Sequence, residues 1–431
     1  MPDRSSHAPL GVPLGVAALS LFTLAGPVVA DLARRPDVAA LRAAGPAGLD
    51  ELLVRYDRAS PAEQAALADA VDAVAGQRYA TVSRLYWYTE LDRAEAAAHA
   101  LHRPILALRM LGDLRADLSC ANSRLFRATL YANAEVAALL REHFVLYWSS
   151  ERAVPVVTID YGDGRKLVRT TTGNSAHYVL DEQGHVLDVL PGLYAPAAFR
   201  AELARSLALA DEVRGLPDAE RVRATVAHHA GQIAATERDW LGARDVVVDV
   251  GASAVVADAR ARALVAAQRT TVTKAVVEVP QLVQIGVMAP ADVPRDDATW
   301  AAIGQRIWGT APTPTGGPVP RPAPAVLDAR SLALVARLHD AGPAEQRATP
   351  SELAAVIARL EQHILADTAL DQFVLRQQIR KHIVAAAETE LTALNAWVYS
   401  EVFVTPRTDP WLGLLPRTEF TGVPGDGVVM P

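Results

Sequence analysis

Cysteine is all but missing from this chain: its 431 residues include one, Cys120. That excludes an internal disulfide, a cysteine-rich zinc site and haem attachment through paired cysteines. Aromatic residues make up only 6%, whereas apolar residues, many of them alanine, reach 51%. Alanine favours helix but buries little area per residue, so a helix-rich protein with thin cores is expected. Neither charge sign dominates. The 42 lysines and arginines stand against 49 aspartates and glutamates, a net charge of −7. This leaves no electrostatic footprint for nucleic acid, and no nucleic-acid partner is expected. The Gly-x-Ser-x-Gly, His-Glu-x-x-His and Walker patterns are all missing, so the familiar hydrolase and nucleotide-binding signatures fail. His228-His229 is an adjacent pair that cannot face one ligand from a helix. Asp160 and Asp163 flank a turn without the full oxygen set of a calcium loop. No metal and no cofactor are expected.

Long hydrophobic runs are scarce too, with one exception. Ala8–Ala30 is almost wholly apolar, follows a short polar stretch with Arg4, and ends in the small-residue sequence Val28-Val29-Ala30 before Asp31. Residues 1–30 are therefore expected to be a signal peptide or an N-terminal anchor, which predicts export to the periplasm or cell envelope. No membrane contact beyond that segment is expected. Outside the cytoplasm an unpaired thiol is either buried or reactive.

Residues 31–83 form a helical lead-in, in which Ser60-Pro61-Ala62-Glu63 is a capping box with proline at the first helical position. Residues 84–212 alternate elements. Glu90–Leu101 reads as helix and Ile105–Met110 as a buried strand. The segment from Cys120 to about Tyr131 and Ala134–His143 read as helices, and Phe144–Trp148 as a strand. Hairpins follow around Gly162-Asp163-Gly164 and Asp181-Glu182-Gln183-Gly184, and Ala197–Leu209 closes the unit as a helix. The predicted class is α/β, a mixed sheet with helices on both faces. Residues 213–309 read as mostly helical, with a strand at Asp245–Val250 and a helix at Ala254–Gln268. Residues 310–325 form a proline-rich linker with six prolines. Residues 326–431 form a helical region with a second capping box, Thr349-Pro350-Ser351-Glu352. A long helix from about Leu370 to Ser400 follows, then an irregular tail docked by Trp411.

Cys120-Ala121-Asn122-Ser123 is a Cys-x-x-Ser spacing at a strand-to-helix turn. Preceded by Arg103-Pro104-Ile105-Leu106 and followed by Ala134-Glu135-Val136, Phe144-Val145, Asp181–Gly184, Gly192 and Phe199, it resembles the thioredoxin-like superfamily. The likeness is to its single-thiol variants, over about residues 84–210. The resemblance implies a thioredoxin-like mixed sheet, here flanked by alanine-rich helical segments. It also implies a nucleophilic Cys120 with Ser123 as its hydrogen-bond partner, and a substrate-presenting loop at Asn174 and Ser175. The chain departs from the family in three ways. Ser123 replaces the second cysteine, the spacer Gly112–Ser119 is long, and Ser175 stands where the family carries a cis-proline. A hydroxyl cannot resolve a mixed disulfide. The expected activity is therefore single-thiol exchange or covalent holding of protein thiol or disulfide clients. The alternative is a non-catalytic thioredoxin-fold scaffold for protein–protein interaction. His177 is a candidate base, with a sheet residue as its plainer role.

Overall fold

The sheet is built around the most apolar strand. In a computed structural model that describes residues 35–171, 173–249, 297–308, 326–344, 347–412, 423–424 and 428–430, β1 is Ile105–Leu111, with every residue buried except Arg109. A strand covered on both faces reads as a continuous hydrophobic run, and each large apolar side chain fully buried there contributes about 1.5–3 kcal/mol. β1 pairs in parallel with β2 (Val145–Arg152) and antiparallel with β5 (Ser175–Leu180); β5 pairs antiparallel with β6 (Val186–Pro191). The order is β2-β1-β5-β6. The hairpin of β3 (Val156–Asp160) and β4 (Lys166–Thr170) forms a separate two-stranded sheet. The chain is thus mixed α/β with a mixed four-stranded sheet.

The helices before β1 are α1 (Val38–Ala43), α2 (Pro46–Arg58), α3 (Pro61–Ala75), α4 (Ala80–Ser83) and α5 (Leu91–Leu101). The capping box before α3 forms, with the Ser60 amide donating to Glu63 Oε2 at 2.8 Å. Leu49, Leu52, Leu53, Leu67, Val71 and Val74 make a small core of their own. Between β1 and β2 lie α6 (Ala121–Leu125), which continues through a five-residue π-helical stretch at Phe126–Leu130, and α7 (Ala134–His143). α8 (Pro196–Val213) follows β6.

Both sheet edges are closed, which removes an open template for strand pairing. On the β2 side, the Tyr88 amide donates to Leu146 O at 2.8 Å and the Trp148 amide to Tyr88 O at 3.1 Å. On the β6 side the C-terminal half does the work. Its helices are α9 (Asp218–Asp249), α10 (Asp297–Trp308), α11 (Ala329–His339), α12 (Pro350–Leu370), α13 (Arg376–Ala386) and α14 (Leu391–Trp397). The Val186 amide donates to Thr389 O at 2.8 Å, the Leu193 amide to Asp371 Oδ2 at 2.8 Å and the Ala195 amide to Thr368 Oγ1 at 2.7 Å. Gly192 sits at φ +75° with the Asp371 carboxylate where a Cβ would stand, so only glycine admits that contact.

A buried ionic network fastens this junction. Arg376, on α13, reaches Asp188 of β6 at 2.6 Å and Glu202 of α8 at 2.6 Å. Ser206 Oγ donates to Asp188 at 2.8 Å, and Gln372 Nε2 donates to Glu202 at 3.0 Å. The Arg376, Asp188 and Glu202 side chains are at most 1% exposed. Burial alone would raise the Asp188 and Glu202 pKa values; the facing Arg376 guanidinium holds both below the ordinary carboxylate value. The described residues from Val38 onward form one compact unit.

Three expected elements differ. Asp245–Val250 is not a strand, because α9 runs on as helix to Asp249. The long helix from Leu370 to Ser400 is broken: it passes through a π-helical stretch at Asp371–Leu375, ends where Ala387 turns left-handed at φ 52°, and restarts at Leu391 on a Glu390 cap. In the tail Leu412 is fully buried, whereas Trp411 is only half-buried. The second capping box forms, with the Thr349 amide donating to Glu352 Oε2 at 2.7 Å. The apolar segment at 8–30, the helix expected at 254–268 and the linker at 310–325 lie outside the described residues. Among the described residues no helix is long and apolar enough to cross a membrane.

Candidate functional site

Cys120 is placed by a loop that closes on itself. The chain leaves β1 at Leu111, makes an excursion over residues 112–119, and returns so that the Cys120 amide donates to Leu111 O at 3.1 Å. The long spacer therefore does not move the cysteine away from the strand end. Gly112 enters the loop at φ +84°, and a Cβ there would lie 3.2 Å from both Ser119 Cα and Val154 Cγ1. Arg127, in the π-helical stretch, holds the loop from inside. Its guanidinium donates to Leu114 O at 3.0 Å, Ala116 O at 2.8 Å and Ser119 Oγ at 3.1 Å. Burial pulls the Arg127 pKa below its ordinary value, while Tyr79, Asp117 and Cys120 act in the opposite sense. Arg124 donates to Ser119 O at 3.1 Å and Thr170 Oγ1 at 3.0 Å, tying the same loop to the end of β4.

Cys120 caps the N-terminus of α6 with extended backbone and is completely buried. Its Sγ lies 3.0 Å from Ser175 Oγ, and either atom can donate. Ser175 is the first residue of β5, directly opposite Met110 of β1. The thiol thus faces the start of β5. Ser123 does not play the part expected of it. Its hydroxyl donates to Ser119 Oγ at 2.6 Å and to the Cys120 carbonyl at 2.9 Å, leaving Ser175 as the thiol's partner. A residue three places into a helix points its short hydroxyl back along the helix, and here that direction meets Ser119 and a carbonyl rather than the sulfur.

Asn174 is buried and bound to the far end of the chain. Its Nδ2 donates to Thr405 Oγ1 at 2.6 Å, and its carbonyl accepts from the Tyr399 hydroxyl at 3.3 Å. Its Oδ1 has no partner, and neither end of the buried Asn122 amide has one. His177 is inside β5, with Nε2 and the Tyr131 hydroxyl 2.7 Å apart in a hydrogen bond. Phe126 and Phe199 flank its ring at 4.6 and 5.0 Å between centroids. Burial drops its pKa to about 3, so the ring is neutral at physiological pH. Its hydrogen-bond partner is Tyr131 rather than Cys120.

Arg127, Ser119, Tyr399 and Thr405 escaped sequence reasoning. Nothing local marks Arg127, which shares its helix side with Arg124 and Ser123. Tyr399 and Thr405 lie more than two hundred residues from Asn174, and nothing local marks them.

At the other end of β5, a cleft of about 420 Å³ is lined by His99, Asp181, Glu182, Arg214 and Arg221. Its charges answer one another: Glu182 has His99 and His102 at 3.5 Å and Arg214 at 3.4 Å. Among the described residues, no group of three His, Cys, Asp or Glu side chains is placed to hold a metal ion. Compared with known protein families, curated proteins and solved structures, the chain matches none.

Proposed function

We propose that the chain is an exported thioredoxin-like protein in which Cys120 is a sheltered single thiol that exchanges with, or covalently holds, disulfide-bearing protein clients. The observation that carries this is the 3.0 Å contact between Cys120 Sγ and Ser175 Oγ. It sets the only cysteine of the chain at a strand-to-helix turn, facing the first residue of an antiparallel strand. The sheet order β2-β1-β5-β6, with one parallel and two antiparallel pairs, supports the thioredoxin-like part. The apolar segment at residues 8–30 supports export.

In this chemistry Cys120 loses its proton to solvent, and the thiolate attacks one sulfur of a client disulfide. A Cys120–client S–S bond forms, the client S–S bond breaks, and the departing client thiolate takes up a proton. No net oxidation occurs. With Ser123 in place of a second thiol, release requires attack by another thiol, either the client's own or a small external one. The Ser175 hydroxyl can donate to the thiolate as it forms. Trapping tests the proposal: wild-type protein should yield mixed disulfides with extracted envelope proteins that vanish in Cys120→Ala. A Cys120→Ala variant that retains every partner sinks it.

One observation favours a second role, a non-catalytic platform for protein–protein contacts: Cys120 is 0% exposed. A thiol that reacts with iodoacetamide only after denaturation establishes that role instead.

A further inference from the structure

We infer that the C-terminal segment Tyr399–Leu412 is a strap that closes the Cys120–Ser175 pair off from solvent, and that its local release, without global unfolding, admits solvent and reagents to the thiol. The inference builds on the thiol chemistry above for its purpose, but its physical basis is separate.

The strap is tied to the residue that precedes the cysteine's partner strand, and its Arg407 lies 4.0 Å from Glu151 of β2. Two ties converge on Asn174, the residue before Ser175: the Tyr399 hydroxyl on its carbonyl and Thr405 Oγ1 on its amide nitrogen. The distal end is held by Arg152 at the end of β2, whose guanidinium donates to Asp409 O and Pro410 O, each at 2.7 Å. Val402, Phe403 and Leu412 anchor it in the core. Between these anchors the backbone is forced. Val404 is left-handed at φ 53° although β-branched, and it is 47% exposed, so no buried contact of its own compensates. Leu412 is left-handed as well, at φ 54°.

The closed state also leaves polar atoms stranded. Asn122, two residues after Cys120, is fully buried with both its amide oxygen and its amide nitrogen unbonded; Asn174 Oδ1 and Thr171 Oγ1 are unbonded too. Buried amides without partners call for water or a small polar ligand. These four atoms belong to the two short segments that carry Cys120 and Ser175. Opening relieves the strain at Val404. Local backbone strain at Val404, between the buried anchors, is the feature that favours release of this segment.

The test is timed iodoacetamide labelling of the full native chain, read by intact mass, beside a denaturant melt of each variant. Removing the two Asn174 ties in Tyr399→Phe/Thr405→Val should raise the labelling rate about tenfold or more, the change that losing two hydrogen bonds brings to an opening equilibrium. Leu53→Ala, in the separate core of α2 and α3, supplies a destabilised control whose labelling should stay near wild type. Arg152→Gln loosens the distal end and should act in the same direction, which covers failure of the double variant to fold. Two results overturn the strap: unchanged labelling in the loosened variants, or a rise no greater than the control shows at equal loss of stability. Wild-type labelling at the rate of free cysteine overturns it as well. The thiol chemistry fails separately. If the loosened variants alkylate readily yet form no adduct with glutathione disulfide, the strap stands and the exchange chemistry does not.

Discussion

Replacing Arg376 by methionine isolates the physics that joins the two halves of the chain. The substitution keeps much of the volume but removes the cation facing Asp188 and Glu202 at 2.6 Å each. Both carboxylates are at most 1% exposed, so water cannot take the guanidinium's place. Glu202 keeps Arg205, which donates to its carboxylate, and Arg380 at 3.7 Å, so Asp188 is the carboxylate left without a close cation. Breaking a buried pair by deleting one partner costs about 3–5 kcal/mol, because a charge remains buried without compensation. Arg376→Met should lose that much in a urea or guanidinium melt at neutral pH. The loss should depend on pH in a defined sense. In the wild type both carboxylates have depressed pKa values, so their contribution is present above the unfolded carboxylate range near pH 4 and is lost only as pH falls through the folded values. Without Arg376, burial dominates at Asp188 and raises its pKa, so the folded variant takes up a proton there before the unfolded chain does. The gap between variant and wild type should therefore narrow from pH 7 toward pH 4. Arg376→Met/Asp188→Asn should recover part of the loss, since it removes the unpaired Asp188 charge while Glu202 keeps Arg205 and Arg380. A single-variant loss below about 1 kcal/mol, or a gap that widens on acidification, refutes this account of the junction.

Two buried histidines predict acid sensitivity of their own. His177 and His229 are held to about 3 and about 4 by burial, so the unfolded chain binds protons near pH 6.5 while the folded chain does not. Stability should fall as pH drops from about 6.5 toward 4, by up to about 1.4 kcal/mol per pH unit for each ring, and His177→Phe should flatten the slope of Tm against pH. Arg127→Met should free the loop at residues 112–119, giving faster amide exchange there and a stability loss of about 2–3 kcal/mol, because Leu114 O and Ala116 O lose a charged donor. Gly112→Ala should cost about 1 kcal/mol or more in a melt, since φ +84° penalises any side chain and the added methyl meets Ser119 and Val154. A neutral Gly112→Ala sinks the claim that the loop closes tightly onto Leu111.

The elements of the α/β unit were legible because they rest on local rules. The apolar run of β1, the Gly162 and Gly184 turns, and the capping boxes at Ser60 and Thr349 depend on residues within a few positions of one another. The position of Cys120 at a strand-to-helix turn was legible for the same reason. Misplaced elements mark the limits of local reading. At Asp245–Val250 the Val-Val-Val run has high β propensity but continues α9, and the helix expected across Ala387 is interrupted by a left-handed residue that carries no glycine signal.

Around the thiol, the sequence by itself determined that one cysteine exists, that Ser123 cannot act as a resolving thiol, and that Ser175 stands at the head of the strand the cysteine was expected to face. Only the tertiary structure decided that Ser175, rather than Ser123, holds the thiol and that Arg127 folds the spacer back onto Leu111. It also decided that Tyr399 and Thr405 bind Asn174 from the far end of the chain. The physical reason is range. Turns, caps and strand periodicity are set by neighbours along the backbone. Burial of a thiol, and the pairing of buried charges such as Arg376 with Asp188, are set by whichever distant segments exclude water from them.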